Sequence, residues 1–160
     1  MHHRTPLLRR ALAALAGVGL LTFGAAACAP GRALSRPTAA PSSSEATYLV
    51  SLVNNYRAAN GLPPLTPAGD AMAKAQSQAG AMAASGSIFH SDLASGITPG
   101  WQAIGENVGS GPNVDVVESS FQASPAHNAN LLSGAFNQIG VGVVHAGNGM
   151  TYVAEEFVGR

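Results

Sequence analysis

One cysteine stands in 160 residues, so no intrachain disulfide can form. A domain of this size must then stand on its apolar core. Charge is scarce too: Asp, Glu, Lys and Arg make up 10% of the chain and sum to zero. Three of the eight basic residues fall in the first ten positions, and beyond residue 27 five bases face eight acids, a net charge of −3. Phosphate backbones are held by clustered Lys and Arg, so nucleic acid is excluded as a partner. Aromatics are few, with Trp101 the only tryptophan. The one long apolar run, Ala11 to Leu21, is too short to span a bilayer. No Gly-x-Ser-x-Gly elbow, no Lys-containing phosphate loop around Ser110 and no His-Glu-x-x-His run occurs. The common nucleophile and local metal motifs are therefore missing.

The start of the chain has its own composition. His2, His3, Arg4, Arg9 and Arg10 precede the apolar run, and Gly24-Ala25-Ala26-Ala27-Cys28 follows it. A basic start, a short apolar centre and a small-residue end make residues 1–27 a secretory signal peptide. Small residues before Cys28 resemble the bacterial lipobox, whose cysteine becomes the lipid-carrying N-terminus. Ala25 departs from that pattern, and the alternative is cleavage after Ala27 that leaves a free thiol. Residues 28–44, rich in Pro, Ala and Ser, offer nothing to bury and read as a disordered tether. The expected location is the cell envelope, as a membrane-anchored lipoprotein or a secreted protein, with membrane contact only through Cys28.

From Glu45 to Arg160 a folded pattern appears. Leu49, Leu52, Val53 and Tyr56 recur at helical spacing, and Gly61 is a helix stop. Thr66-Pro67 reads as an N-cap followed by a first-turn proline. Met72, Ala75, Ala79 and Met82 form the stripe of a second helix that ends near Gly86. Residues 86–102 read as a loop, Ala103 to Val108 as a short strand, and Gly109 to Pro112 as a break. Val114, Val117 and Phe121 mark a third helix with Asp115 and Glu118 facing outward. Ile139 to Val144 alternates, Gly147-Asn148-Gly149 is a hairpin signal, and Met150 to Val158 returns. The order predicts an α+β fold, a small antiparallel sheet covered by helices.

Three polar points stand out. Ser124-Pro125-Ala126-His127-Asn128-Ala129-Asn130-Leu131-Leu132 reads as a polar turn, His90 lies in the loop, and Glu106 sits among apolar neighbours. A glutamate in such a place wants a cation, a donor or a metal. Two imidazoles answer that need, and they also suit a Zn²⁺-type ion. The reading is that His90, Glu106 and His127 converge on one cleft. Taken singly, each also fits a local role: Glu106 as a loop-tying acid, His127 as a turn cap, Asn128 and Asn130 as backbone partners.

Several segments, in order, resemble the CAP superfamily of cysteine-rich secretory proteins, antigen 5 and pathogenesis-related-1 proteins, also called the SCP domain. They are Asn54 or Asn55 with Arg57, Gly61, Leu62 and Leu65; Met82-Ala83 with His90; Gly105-Glu106-Asn107; Ser124 to Leu132; and Ile139-Gly140-Val141-Gly142 with the closing strand to Phe157. The resemblance is to the bacterial single-domain branch and implies an α-β-α sandwich. It also implies a cleft of His90, Glu106 and His127 with Asn107 and Asn130, and a divalent metal such as Zn on His90 and His127. Ser124 stands where many relatives place a second cleft glutamate, which weakens a carboxylate-pair catalyst. The expected function is a non-catalytic envelope module whose cleft binds a small ligand, a lipid, a divalent metal or an envelope component. The alternative is a metal-dependent hydrolase of peptide or envelope polymer with Glu106 as base; a third reading is a purely structural surface antigen.

Overall fold

Glycines at alternate positions of one strand let a helix lie directly on the sheet. The computed structural model describes residues 43–160. The signal peptide, Cys28 and the tether up to residue 42 lie outside the described residues. The elements are α1 (Ser43–Ala59), β1 (Thr66–Pro67), α2 (Gly69–Ser85), β2 (Ala103–Gly111), α3 (Val114–Ala123), α4 (Pro125–Leu131), β3 (Gln138–His145) and β4 (Thr151–Gly159). The first helix thus takes in the last two residues read as tether.

The strand order is β1-β3-β4-β2, with β2 and β3 antiparallel to β4 and β1 parallel to β3. On β3, Ile139, Val141 and Val143 face one way, joining Leu49, Val53, Val117, Phe121 and Phe157 in the main core. Gly140 and Gly142 face the other way. A Cβ added at Gly140 would sit 2.0 Å from the Ala71 carbonyl carbon, and one at Gly142 would sit 2.2 Å from that of Ala75. Helix α2 runs parallel to β3 across this glycine seat, and Ala75, Ala79 and Met82 pack there on Val108, Val144, Tyr152 and Ala154. So α2 and the loop after it cover one face; α1, α3 and α4 cover the other. The α-β-α sandwich and the α+β class stand.

Local signals explain most boundaries. Gly61 and Gly86 adopt φ of 74° and 69°, the left-handed region that favours glycine at a helix end. The Asn113 side chain accepts from the Val116 amide and caps α3. Three expectations are corrected. Thr66-Pro67 is the short strand β1, and α2 starts two residues later from Ala68 without a side-chain cap. β2 runs on through Gly109 to Gly111 where a break was expected. Ser124 to Leu132 is not a turn: Pro125 opens helix α4, its fixed φ suiting a first turn.

Arg57 ties the far end of α1 down. It is fully buried and donates to the carbonyls of Pro63 (3.0 Å), Leu131 (2.8 Å) and Ser133 (2.9 Å). Among the described residues no carboxylate forms an ion pair with it; carbonyl oxygens engage Nε and Nη1, while Nη2 is buried without a partner.

Candidate functional site

Strand alternation sends Glu106 and Asn107 to opposite faces of the sheet, and each meets an acid of β4. The register pairs Glu106 with Glu156 and Asn107 with Glu155. On the α2 face, Glu106 is 5% exposed. Its Oε1 accepts from His90 Nδ1 (2.7 Å) and the Ser91 amide (3.0 Å), and its Oε2 lies 3.3 Å from the same amide. Glu156 also hydrogen-bonds it. Burial alone would raise the Glu106 carboxyl; the bonds from Ser91, Glu156 and His90 outweigh burial and hold it below the usual range.

Glu156 does the opposite. Burial, followed by the adjacent Glu106 charge, pushes it up to about 9. Lys74 Nζ is 3.6 Å away, beyond hydrogen-bond range, and is bonded instead to Ser91 Oγ and the Asp92 carbonyl. Its charge pulls Glu156 down, but burial and the neighbouring Glu106 outweigh it, so the carboxyl pair holds one proton.

The loop carrying His90 is fastened by side chains. Gln78 donates to the Phe89 carbonyl, Lys74 to Ser91 and Asp92, and Asp70 accepts from the Thr98 amide. Between Ile88 and Gly100 the backbone bonds join only loop residues, Ser95 to Asp92 and Ile97 to Ala94; backbone ties to other elements are made at the loop's two ends, Ser87 to Met82 and Gln102 to Gly159. Asp92 also closes an Asx turn with the Ala94 amide.

On the opposite face, Glu155 is fully buried; Asn107 Nδ2 donates to its Oε2 (3.0 Å), and Glu118 hydrogen-bonds it. Burial and the Glu118 charge raise Glu155 well above the usual range. Burial raises Glu118 too, against a bond from Gln122. Glu118 was expected to face solvent; it is 2% exposed, so that reading is corrected. α3 lies between α1 and the sheet edge, which leaves it a wider buried face than its apolar stripe indicates.

The five expected cleft residues form one connected chain over the β2 edge. Asn130 Nδ2 donates to the Glu106 carbonyl (3.2 Å) and to Asn107 Oδ1 (2.9 Å). Asn107 Nδ2 lies 3.3 Å from the His127 carbonyl. The His127 ring packs on Phe121 at 4.9 Å, and burial, followed by the His90 charge, lowers its pKa. Gly105 leaves room for Asn130: a Cβ there would meet Asn130 Oδ1 at 3.0 Å. The remaining expected residue, Cys28, lies outside the described residues. Along α2, a groove of about 590 Å³ is lined by Lys74, Ser77, Gln78, Phe89, His90 and Ser91 among others, but by neither Glu106 nor His127.

Zinc fits this donor set poorly. Among the described residues no group of three or more His, Cys, Asp and Glu side chains is placed to hold a metal ion. His90 and His127 are two donors, and Glu106 spends its oxygens on the loop. Glu118, Glu155, Glu156 and Lys74 were missed in the sequence reading. The signal available was Glu155-Glu156, two adjacent acids inside an otherwise apolar strand.

Such a sandwich, with histidines and carboxylates gathered at one sheet edge, defines a recognisable class. Residues 50–157 match the cysteine-rich secretory protein family, CAP, and the chain belongs to it. Among curated proteins none matches the chain. Solved structures of similar fold include an outer surface protein of Borrelia burgdorferi (TM-score 0.66, 18% identity, covering 76% of this chain and 98% of that one). An extracellular SCP-domain protein of Bacillus anthracis aligns with TM-score 0.62 and 22% identity over 73% of this chain and 41% of its own. A cysteine-rich secretory protein of Staphylococcus aureus gives 0.60 and 23% over 73% and 38%. The chain thus spans about two fifths of the latter two proteins. Among the described residues, no helix is long and apolar enough to cross a membrane.

Proposed function

We propose that the chain is an exported, non-catalytic binding module of the bacterial envelope. Its cleft, floored by Asn107 and Asn130 and flanked by His90 and His127, holds a small-molecule or lipid ligand. The observation that carries this reading is the state of Glu106. A general base needs a free lone pair within reach of the proton it takes. Glu106 is buried, engaged by His90, Ser91 and Glu156, and held below the usual carboxyl range. It is built to position His90. With Nδ1–H given to Glu106, His90 presents Nε2 outward from a side chain 62% exposed, as a recognition group does. Export is supported by the leader sequence and by the surface and extracellular descriptions of two proteins of similar fold.

A second reading puts a divalent ion between the two imidazoles, since His90 lies close enough to shift His127. With two protein donors, water would have to fill the remaining positions.

The test is organic extraction and mass spectrometry of the full purified chain, beside hydrolysis assays on casein and on peptidoglycan. A compound in fixed ratio to protein, depleted in His127→Ala, is the expected result. Turnover by the wild type that Glu106→Gln abolishes would establish the hydrolase instead.

A further inference from the structure

The groove of about 590 Å³ along α2 is separate from the cleft over the β2 edge, since neither Glu106 nor His127 lines it. Its volume falls within the range of about 300–1,000 Å³ usual for small-molecule sites. One wall is a stripe of α2, with Ala73, Lys74, Ser77 and Gln78 brought to one face by helical spacing. The other wall is the loop from Phe89 to Gly96. Buried side chains lock the two walls together. Gln78 donates to the Phe89 carbonyl, and Lys74 donates to Ser91 Oγ and the Asp92 carbonyl. At Gly96 the loop rests on the Lys74 stem: a Cβ there would lie 3.7 Å from the Lys74 Cβ. The groove is therefore formed before a ligand arrives, which lowers the ordering cost of binding.

Its polar chemistry narrows the ligand. Among the described residues that line it, only Lys74 is a lysine or arginine, and its ammonium is committed to the loop. Asp70 is engaged by Arg160 and by the Ala71 and Thr98 amides. The atoms left for a ligand are the Ser77 and Ser95 hydroxyls, His90 Nε2 and Asp92 Oδ2, the Nδ1 of His90 and the Oδ1 of Asp92 being used within the chain. Carboxylate, phosphate and sulfate groups bring acceptors only and meet no free cation here. A ligand rich in hydroxyls brings the donors that this set lacks. Phe89, 43% exposed, adds an apolar surface to the same groove. The negative face of its ring favours C–H groups over anions. Hydroxyls around the edge and C–H groups on the face are the chemistry of a pyranose ring.

We propose that the α2 groove is a saccharide site. It takes a neutral sugar unit with its C–H face on Phe89 and its hydroxyls on His90 Nε2, Ser77, Ser95 and Asp92. The site shares His90 with the cleft but needs neither His127 nor Asn130, so it is independent of any ligand held there.

The test is titration of the full purified chain with the uncharged sugars chitotetraose, cellotetraose and maltotetraose, and with anionic tetragalacturonate, read by saturation-transfer NMR and calorimetry. At least one neutral sugar should bind, and tetragalacturonate should not. Phe89→Ala should weaken that binding by about tenfold or more. Ala73→Phe, which fills the groove from an exposed helical position, should abolish it. Trp101→Ala, at an exposed aromatic off the groove, and His127→Ala, in the cleft, should leave it unchanged. Circular dichroism establishes that each variant is folded. Binding of none of the neutral sugars, equal or tighter binding of tetragalacturonate, wild-type affinity in Phe89→Ala or Ala73→Phe, or loss of binding in His127→Ala or Trp101→Ala would overturn the proposal.

Discussion

Glu106 and Glu156 stand opposite each other on β2 and β4, both buried, and the nearest ammonium, Lys74, is committed to the His90 loop. The pair therefore keeps a proton at neutral pH, and stability must depend on pH in a definite direction. Glu156 is raised from an ordinary value near 4.5 to about 9, and Glu118 and Glu155 are raised as well. A raised carboxyl contributes stability that is complete below the unfolded pKa and is lost as pH climbs toward the folded one. Glu106, being depressed, acts in reverse: its contribution is lost as pH falls through its own value. Denaturant midpoints at about pH 5, 7 and 9 should fall in that order, each proton-holding carboxyl giving a slope of up to about 1.4 kcal/mol per pH unit. Glu156→Gln should flatten part of that slope. Midpoints that do not move between pH 5 and 9 would contradict the proton-holding pair.

The second carboxyl pair can be separated chemically. Glu155→Gln keeps the shape and supplies an N–H toward Glu118, so urea unfolding at pH 7 should change by less than about 1 kcal/mol. Glu155→Ala strands the Asn107 amide and the Glu118 carboxyl in the core, at a cost of about 2–4 kcal/mol. Equal losses in both variants would mean that the pair does not share a proton.

Arg57→Lys tests the buried fork. Three carbonyls from two segments converge on the guanidinium. An ammonium cannot reach them in that geometry, so the variant should lose about 2 kcal/mol or more, read by chemical denaturation. A neutral outcome would show that water satisfies those carbonyls.

Gly142→Ala places a methyl 2.2 Å from the Ala75 carbonyl carbon and oxygen, both backbone atoms. Neither can give without lifting α2 from β3, so the loss should exceed about 4 kcal/mol or prevent folding. Gly147→Ala, with nothing within 4 Å, is the control and should stay close to the wild type.

Much of this arrangement was legible in the sequence wherever a local pattern decides the outcome. The helical stripe through Ala75, Ala79 and Met82, the stop at Gly86 and the Gly147-Asn148-Gly149 hairpin all follow short-range rules. His90, Glu106 and His127 were read as partners, and the fold brings His90 and Glu106 into direct contact. What escaped depends on strand order. β4 is a central strand with α2 against one face and the other helices against the opposite face, so Glu155 and Glu156 are buried on opposite sides. A return strand read as one arm of a closing hairpin gives no hint of that. Glu118 was missed for a related reason: helical spacing puts it beside Val114, Val117 and Phe121, and only the packed α3 shows that the acid is inside. Thr66-Pro67 carries the residues of an N-cap but pairs with Gln138 and Ile139, a partner far along the chain.

The assignment of Glu106 as a clamp on the His90 loop rests most directly on the Ser91 amide. Hydrogen exchange at that amide should be at least about tenfold faster in Glu106→Ala than in the wild type, with the increase confined to residues near 88–98 and the β3 and β4 amides unchanged. Exchange at Ser91 that is the same in both chains would contradict the clamp and return Glu106 to the role of a free carboxylate.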